Sequence, residues 1–390
     1  MPSQTPTTGR HCPAALLTAA IIAMPVAANT PPARLVDLGR MLYFDVNLSQ
    51  DRTQSCATCH TPTTGFVDSR DNGVKAMASL GDNQQSLGDR QAPSTAYAVF
   101  SPAFHFDTKQ QAFIGGQFWD GRAKDLAQQA QEPPLNPAEM AMPSKSAVVD
   151  RLQDNTAYQQ MFSDHFGEQI WHQPEQAYAA MTQAIAAFEA SPEVSPFDAK
   201  YDRYLKGQYE LTAQEELGMA LFFSNNNTNC HSCHMLRQPE QARETFSNYQ
   251  FHNIGTPSNW QLRAKNGLPV NTVDLGLLAN PAVEDPAHLG KFKVPTLRNV
   301  AVTGPYMHNG AFAELSTVLA FYDQLNNPKR NLNPETGKPW RVAEAPSTVN
   351  HELLQAKALS DAKLAALEAF LRTLTDQRYE HLLNEPEQPN

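Results

Sequence analysis

The chain has 390 residues and a formal net charge of −10 at pH 7, long enough for two domains of ordinary size that each bury a core without disulfide staples. The acidic balance excludes a nucleic-acid partner, since phosphate neutralisation needs clustered Lys and Arg. It suits small molecules or a basic protein partner.

At the start of the chain, Arg10 and His11 precede an apolar run from Ala14 to Ile22, and Val26-Ala27-Ala28 offers small residues for cleavage. This pattern reads as a secretory leader over residues 1–28. The run, broken off by Pro25, is too brief to span a bilayer, and nothing later reads as a transmembrane segment. The expected product is an exported, periplasmic protein, free or surface-associated, beginning near Asn29. Of the five cysteines, Cys12 falls in the leader, so the mature chain keeps Cys56, Cys59, Cys230 and Cys233.

Leu38-Gly39-Arg40-Met41-Leu42-Tyr43-Phe44 leads into Cys56-x-x-Cys59-His60, and Leu217-Gly218-Met219-Ala220-Leu221-Phe222-Phe223 leads into Cys230-x-x-Cys233-His234. In C-x-x-C-H the two thiols form thioethers to the haem vinyls, and the adjacent His is placed beneath the iron. Two disulfides and a zinc site are the alternatives. Zinc knuckles, however, pair at about 15–20 residues, whereas these units lie about 170 residues apart, and neither alternative explains the two histidines. The duplicated unit is an internal repeat. It predicts an all-α fold of two cytochrome c-like domains, each binding one covalent haem, with long irregular loops.

The domains are expected over residues 29–205 and 206–390, with the seam in Ser195 to Leu211, where Pro196 and Gly207 interrupt the helical pattern. Between and beyond the motifs, Ala179 to Ala190 is Ala-rich and helical. Thr212-x-x-Glu215 is a capping box opening the helix before the second motif, and Ser360 caps a helix in which Leu364, Leu367, Leu371 and Leu374 share a face. No run shows sustained β alternation. The 29 prolines call for long, irregular connections.

What occupies the sixth position of each iron decides between chemistry and plain electron transfer. Leu315, Val318, Leu319 and Tyr322 recur at i, i+3, i+4 and i+7 and define one helical face. On periodicity alone Tyr322 is either a ligand of the second haem or an ordinary packed tyrosine. Met235, Met307 and His308 compete for the same role by their chemistry.

Three further segments carry a family resemblance: Gln117-Phe118-Trp119-Asp120-Gly121-Arg122-Ala123, Asn136-Pro137-Ala138-Glu139-Met140, and Pro295-Thr296-Leu297-Arg298-Asn299-Val300 running into Pro305-Tyr306-Met307-His308-Asn309-Gly310. With the two haem motifs, they make the mature chain resemble the bacterial di-haem cytochrome c peroxidases and their relative MauG. The resemblance implies that the His60 haem is peroxidatic and that Trp119 relays electrons or holes between the haems. It also places Gln129, Pro133 and Glu139 on the distal side of the first haem, with Glu139 moving a proton between the peroxide oxygens. Read without the resemblance, Trp119 is a core aromatic and Glu139 a solvated glutamate after a proline turn.

The peroxidase branch of that family carries a methionine on the second iron, fourteen residues after the His that matches His308. In this chain that count lands on Tyr322, as in MauG. A phenolate stabilises oxidised iron, which implies a high-valent di-haem state, shared through Trp119, that oxidises a residue of a secreted partner protein, tryptophan above all. The alternative is reduction of hydrogen peroxide to water with electrons from a small cytochrome or cupredoxin. A third reading, a plain electron carrier, requires both irons to be six-coordinate. The His that caps the first haem in the peroxidase branch has no match at its position. His105, the only histidine between His60 and Trp119, does not sit at the matching position, so an open first haem is expected, with His105 the one alternative cap. Family members also hold a calcium ion through an Asn side chain and two carbonyls. Thr303 and Pro305 match the carbonyls, and Gln91 stands where the Asn is expected. Trp171, Trp260 and Trp340 are further aromatics that either carry holes outward or simply pack.

Overall fold

The computed structural model describes Met1, residues 33–239 and residues 241–383; the leader, with Cys12, lies outside the described residues. In chain order the α-helices are α1 (Ala33–Tyr43), α2 (Cys56–Cys59), α3 (Leu126–Gln129), α4 (Lys145–Gln153), α5 (Thr156–Phe166), α6 (Pro174–Glu189), α7 (Lys200–Leu205), α8 (Ala213–Phe222), α9 (Trp260–Asn266), α10 (Leu315–Gln324) and α11 (Asp361–Arg372). No described helix is long and apolar enough to cross a membrane.

Two apolar cores organise these elements. In the first, Leu38, Leu42 and Tyr43 of α1 pack with Tyr178, Met181, Ile185 and Phe188 of α6. The helices approach so closely at Gly39 that an added Cβ would lie 1.8 Å from the Ala184 carbonyl oxygen. The second core repeats the device: Leu221 and Phe222 of α8 meet Leu367, Phe370 and Leu371 of α11, and a Cβ on Gly218 would lie 1.8 Å from the Ala366 carbonyl oxygen. The glycine of each approach segment is therefore a crossing point, where only a hydrogen fits. The chain passes from the first core to the second between Phe197 and Tyr201.

Helix ends follow the sequence closely. Thr212 Oγ1 accepts from the Glu215 amide while Glu215 returns a carboxylate to the Thr212 amide at 2.8 Å, satisfying two orphan donors reciprocally. Ser360 caps α11 through the Lys363 amide. Regular β structure is the difference from the all-α expectation. Two antiparallel ribbons are present, β1 (His105–Asp107) with β2 (Ala112–Ile114) and β3 (Phe251–His252) with β4 (Phe292–Lys293). Strands of two or three residues hold too few positions for a period of two to show in a sequence.

Arg298 ties the cores together. Its guanidinium bonds both Asp202 carboxylate oxygens, at 2.6 and 3.0 Å, and lies over the rings of Tyr97, Phe197, Tyr201 and Phe246. Tyr97 also donates its hydroxyl hydrogen to Asp376, whose other oxygen accepts from Asn299 at 2.9 Å.

Candidate functional site

The two C-x-x-C-H units are built alike. Cys56 and Cys59 bracket the single turn α2, and the His60 amide closes that turn on the Cys56 carbonyl at 2.9 Å. The His234 amide does the same on Cys230 at 3.0 Å. All four thiols are free. Each histidine directs Nδ1 to a backbone carbonyl, Phe66 for His60 at 3.3 Å and Phe246 for His234 at 3.0 Å. Such a bond fixes the tautomer and leaves Nε2 as a metal ligand. Burial pushes both imidazoles below their ordinary pKa, His234 to about 4, so each is neutral and able to ligate.

The accepting phenylalanines are fully buried and both hold a left-handed backbone, φ 59° at Phe66 and 55° at Phe246. A β-carbon makes that conformation costly. Its recurrence under both histidines marks the pair as built to present a carbonyl. Nothing in the spacing of the motifs signals these residues.

Around His234 lies an apolar cavity of about 240 Å³. Leu315, Val318, Leu319 and Tyr322 all line it, so the helical face read from the sequence is the wall of this cavity. Met307 and His308 line it too, whereas Met235 does not. The Tyr322 hydroxyl has no hydrogen-bond partner among the described residues. Burial, with the Cys233 and Cys230 thiols beside it, pushes its pKa well up. A phenol on the cavity wall, two thiols outside any disulfide and an imidazole with Nε2 available suit a covalently held haem.

At the first unit, Glu139 is half-buried and accepts from Asn136 Nδ2 at 2.9 Å on Oε1. Burial raises its pKa above the ordinary carboxylate value, and Arg122 and the Asn136 hydrogen bond pull it back. Its charge in turn acts on both Cys56 and Cys59, which puts this carboxylate in the surroundings of the first motif. Gln129 ends α3, and Pro133 opens the 3₁₀ turn after it; the Pro133 carbonyl accepts from the Met140 amide at 3.3 Å, joining the turn to the residue after Glu139. His105 is exposed on β1 with Nδ1 2.8 Å from the Ala103 carbonyl oxygen, and it lines neither of the two cavities described here.

The repeat extends further than the motifs. Bridges Gln117–Ala123 and Tyr306–Phe312 close equivalent loops, with positive φ at Phe118 and Gly121 in one and at Met307 and Gly310 in the other. Leu126 and Leu315 then open α3 and α10 at the same offset. In this register Trp119 matches His308, and Pro133, fourteen residues on, matches Tyr322. Proline has no side-chain donor atom, so the position that carries a phenol in the second half carries none in the first.

Trp119 lines both the His234 cavity and a second cavity of about 160 Å³, and its Nε1 donates to the Gln91 carbonyl at 2.8 Å. Gln91, Thr303 and Pro305 line that second cavity together. No carboxylate does, and Lys293 shares it, donating Nζ to the Gly116 carbonyl. The donor set therefore fits calcium only in part: neutral oxygens are present, but no anionic ligand is. Lys293, whose pKa burial pushes down to about 7, lines both cavities. Nothing in the Lys291-Phe292-Lys293-Val294-Pro295 run marks Lys293 out from Lys291.

Residues 33–210 match the family described as di-haem cytochrome c peroxidase. Over 373 residues the chain is 48% identical to the methylamine utilization protein MauG of Paracoccus denitrificans (strain Pd 1222), covering 93% of this chain and 95% of that protein. It is 32% identical over 294 residues to the cytochrome c551 peroxidase of Nitrosomonas europaea, covering 75% and 73% respectively. Among solved structures, the diheme peroxidase BthA from Burkholderia thailandensis E264 superimposes with a TM-score of 0.79 at 31% identity, covering 93% of this chain and 91% of that one.

Proposed function

The chain belongs to the di-haem cytochrome c peroxidase family, and from that premise we propose that it is a periplasmic, MauG-like oxidoreductase that uses hydrogen peroxide to oxidise a residue, tryptophan above all, on another secreted protein. Family membership makes it a peroxide-using oxidoreductase and implies two haems. Bound at Cys56/Cys59/His60 and Cys230/Cys233/His234, the haems supply the redox chemistry that couples peroxide reduction to oxidation of a donor.

The chain's own residues do the rest. His60 and His234, each anchored through Nδ1, present Nε2 to iron. Pro133, which has no side-chain donor atom, stands in the first half where Tyr322 stands in the second, so that position would not compete with peroxide for the iron. Glu139, with Oε1 held by Asn136, takes a proton from one peroxide oxygen and returns it to the other. Tyr322, on the wall of the same cavity as His234, would hold the iron of the second haem together with it. Burial favours the neutral phenol in the protein alone, and iron bound there would favour the phenolate. Trp119 relays charge between the sites. Calcium at Gln91, Thr303 and Pro305 belongs to the same reading, and no step depends on it.

The observation that carries this reading is Tyr322: a half-buried phenol on the wall of the His234 cavity, at the register position where the peroxidase branch has a methionine. A thioether raises the potential of the iron and suits an electron-accepting haem, whereas a phenolate stabilises the oxidised form. The test is low-temperature EPR of the oxidised protein and of Tyr322→Phe, with mass spectrometry of co-expressed secreted partners. One high-spin and one low-spin ferric signal are expected, only the latter altered by the substitution, together with an oxidised or cross-linked tryptophan in a partner. Two low-spin signals indifferent to Tyr322 refute the assignment. Fast turnover with a reduced small cytochrome and no modified partner makes the protein a peroxide-detoxifying enzyme instead.

A further inference from the structure

Tyr322 is joined by aromatic contacts to one of the outlying tryptophans. Its ring centroid lies 5.9 Å from that of Phe321, and Phe321, almost fully buried, lies 5.8 Å from Trp340. Trp340 also meets Phe312 edge-on at 5.9 Å. On its other side it reaches the surface, half-buried. The remaining two differ. Trp171 packs on Phe162 in the first core, and Trp260 is half exposed with no aromatic neighbour among the described residues.

The surface around Trp340 has a distinct composition. In a chain of net charge −10, segment 329–341 holds Lys329, Arg330, Lys338 and Arg341 against the single acid Glu335. Glu335 is engaged in accepting from the Ala313 and Glu314 amides, and Arg330 is engaged with Asp323 and Asp361. Lys329, Lys338 and Arg341 are exposed and have no ion-pair partner among the described residues. Leu332 and Val342, 47% and 85% exposed, flank the tryptophan. An apolar centre with an unpaired cationic rim fits an acidic protein, and in a protein this acidic such a patch is locally specific.

We propose that Trp340 is the port through which electrons from an acidic redox-active protein, docked on Lys329, Lys338, Arg341, Leu332 and Val342, reach the Tyr322 side of the second site. The proposal rests on the peroxide-using reading above and names the contact face for its partner. Per turnover H₂O₂ + 2 e⁻ + 2 H⁺ gives 2 H₂O. The partner loses the two electrons one at a time, the protons come from solvent, and Trp340 is oxidised and re-reduced in each transfer. Its Nε1–H donates to the Arg330 carbonyl at 2.8 Å, an acceptor that cannot take the proton, so Trp340 cycles as a cation without proton exchange.

The test uses haem-loaded full-length protein, with a reduced cytochrome c of acidic pI as probe. Stopped-flow absorbance follows two steps: reaction of the enzyme with peroxide, then re-reduction by the probe. Trp340→Phe keeps a ring against Phe312 and Phe321 and is expected to slow the second step by about tenfold or more, with the first step and the low-spin EPR signal unchanged. Lys338→Glu with Arg341→Glu is expected to lower the second-order rate constant at low ionic strength, the deficit vanishing as salt screens the rim. Re-reduction of Trp340→Phe at the wild-type rate overturns the proposal while leaving the peroxide reading standing. Failure of the wild-type protein to react with peroxide overturns both, and a charge-reversal effect traced by sedimentation to a changed oligomeric state assigns the patch to a second copy of the chain instead.

Discussion

Glu139 sits where two opposed influences meet. Burial favours its neutral form, while Arg122 and the Asn136 hydrogen bond favour the carboxylate, and burial wins. In its proposed role Glu139 must be ionised to accept a proton from peroxide, so its raised pKa shifts the expected acid limb of kcat/KM upward from that of an ordinary carboxylate, with activity rising as pH climbs through it. Glu139→Gln is expected to lose about 10²–10⁴ in the rate of reaction with peroxide and to lose that limb. Asn136→Ala, which removes an influence that lowers the pKa, moves the limb to higher pH. Rate constants for peroxide consumption between acid and neutral pH decide this, and a limb that survives in the Gln variant belongs to another group. The proposed first-site residues rest in the sequence on family resemblance alone, because Glu139 has no periodicity or motif of its own. The proposed attachment residues follow from chemistry alone, since Cys, Cys and His sit within five positions. The Phe66 and Phe246 carbonyls were not legible at all, because what they contribute is backbone.

At the scale of elements, each haem motif is preceded by a helix that crosses a partner at a glycine. Gly39 and Gly218 have no φ that demands glycine; what demands it is the opposing carbonyl 1.8 Å from a notional Cβ. Backbone cannot step aside as a flexible side chain can, so relief requires α1 to shift from α6 or α8 from α11. Gly218→Ala is accordingly expected to cost about 1–3 kcal/mol, and Gly39→Ala a similar amount, read as lowered thermal midpoints of the haem-loaded proteins. A neutral effect in both would mean that the helices part freely there. Two equal approach segments in the sequence pointed to a duplicated module, and the capping residues at Thr212 and Ser360 located two helix starts. The ribbons β1–β2 and β3–β4 escaped because they are held by their neighbours and not by a pattern of their own.

For the whole molecule, the sequence repeat accounts for two like modules and is silent on what joins them. The joint is Arg298, whose contacts come from residues 97, 197, 201, 202 and 246, a set that no local reading assembles. Arg298 and Asp202 are both buried and form an ion pair, so each charge is balanced by the other. Arg298→Leu leaves an unpaired carboxylate among aromatic rings and is expected to destabilise by about 3–5 kcal/mol. Asp202→Asn combined with Arg298→Leu removes both charges and should recover much of that loss. Because the guanidinium touches rings from both cores, the loss should reach both haem environments together. Heating the Arg298→Leu protein while following the high-spin and low-spin haem bands separately tests this: coincident midpoints mean the cores unfold as one body, and separated midpoints mean each module holds its own stability and Arg298 serves only to align them.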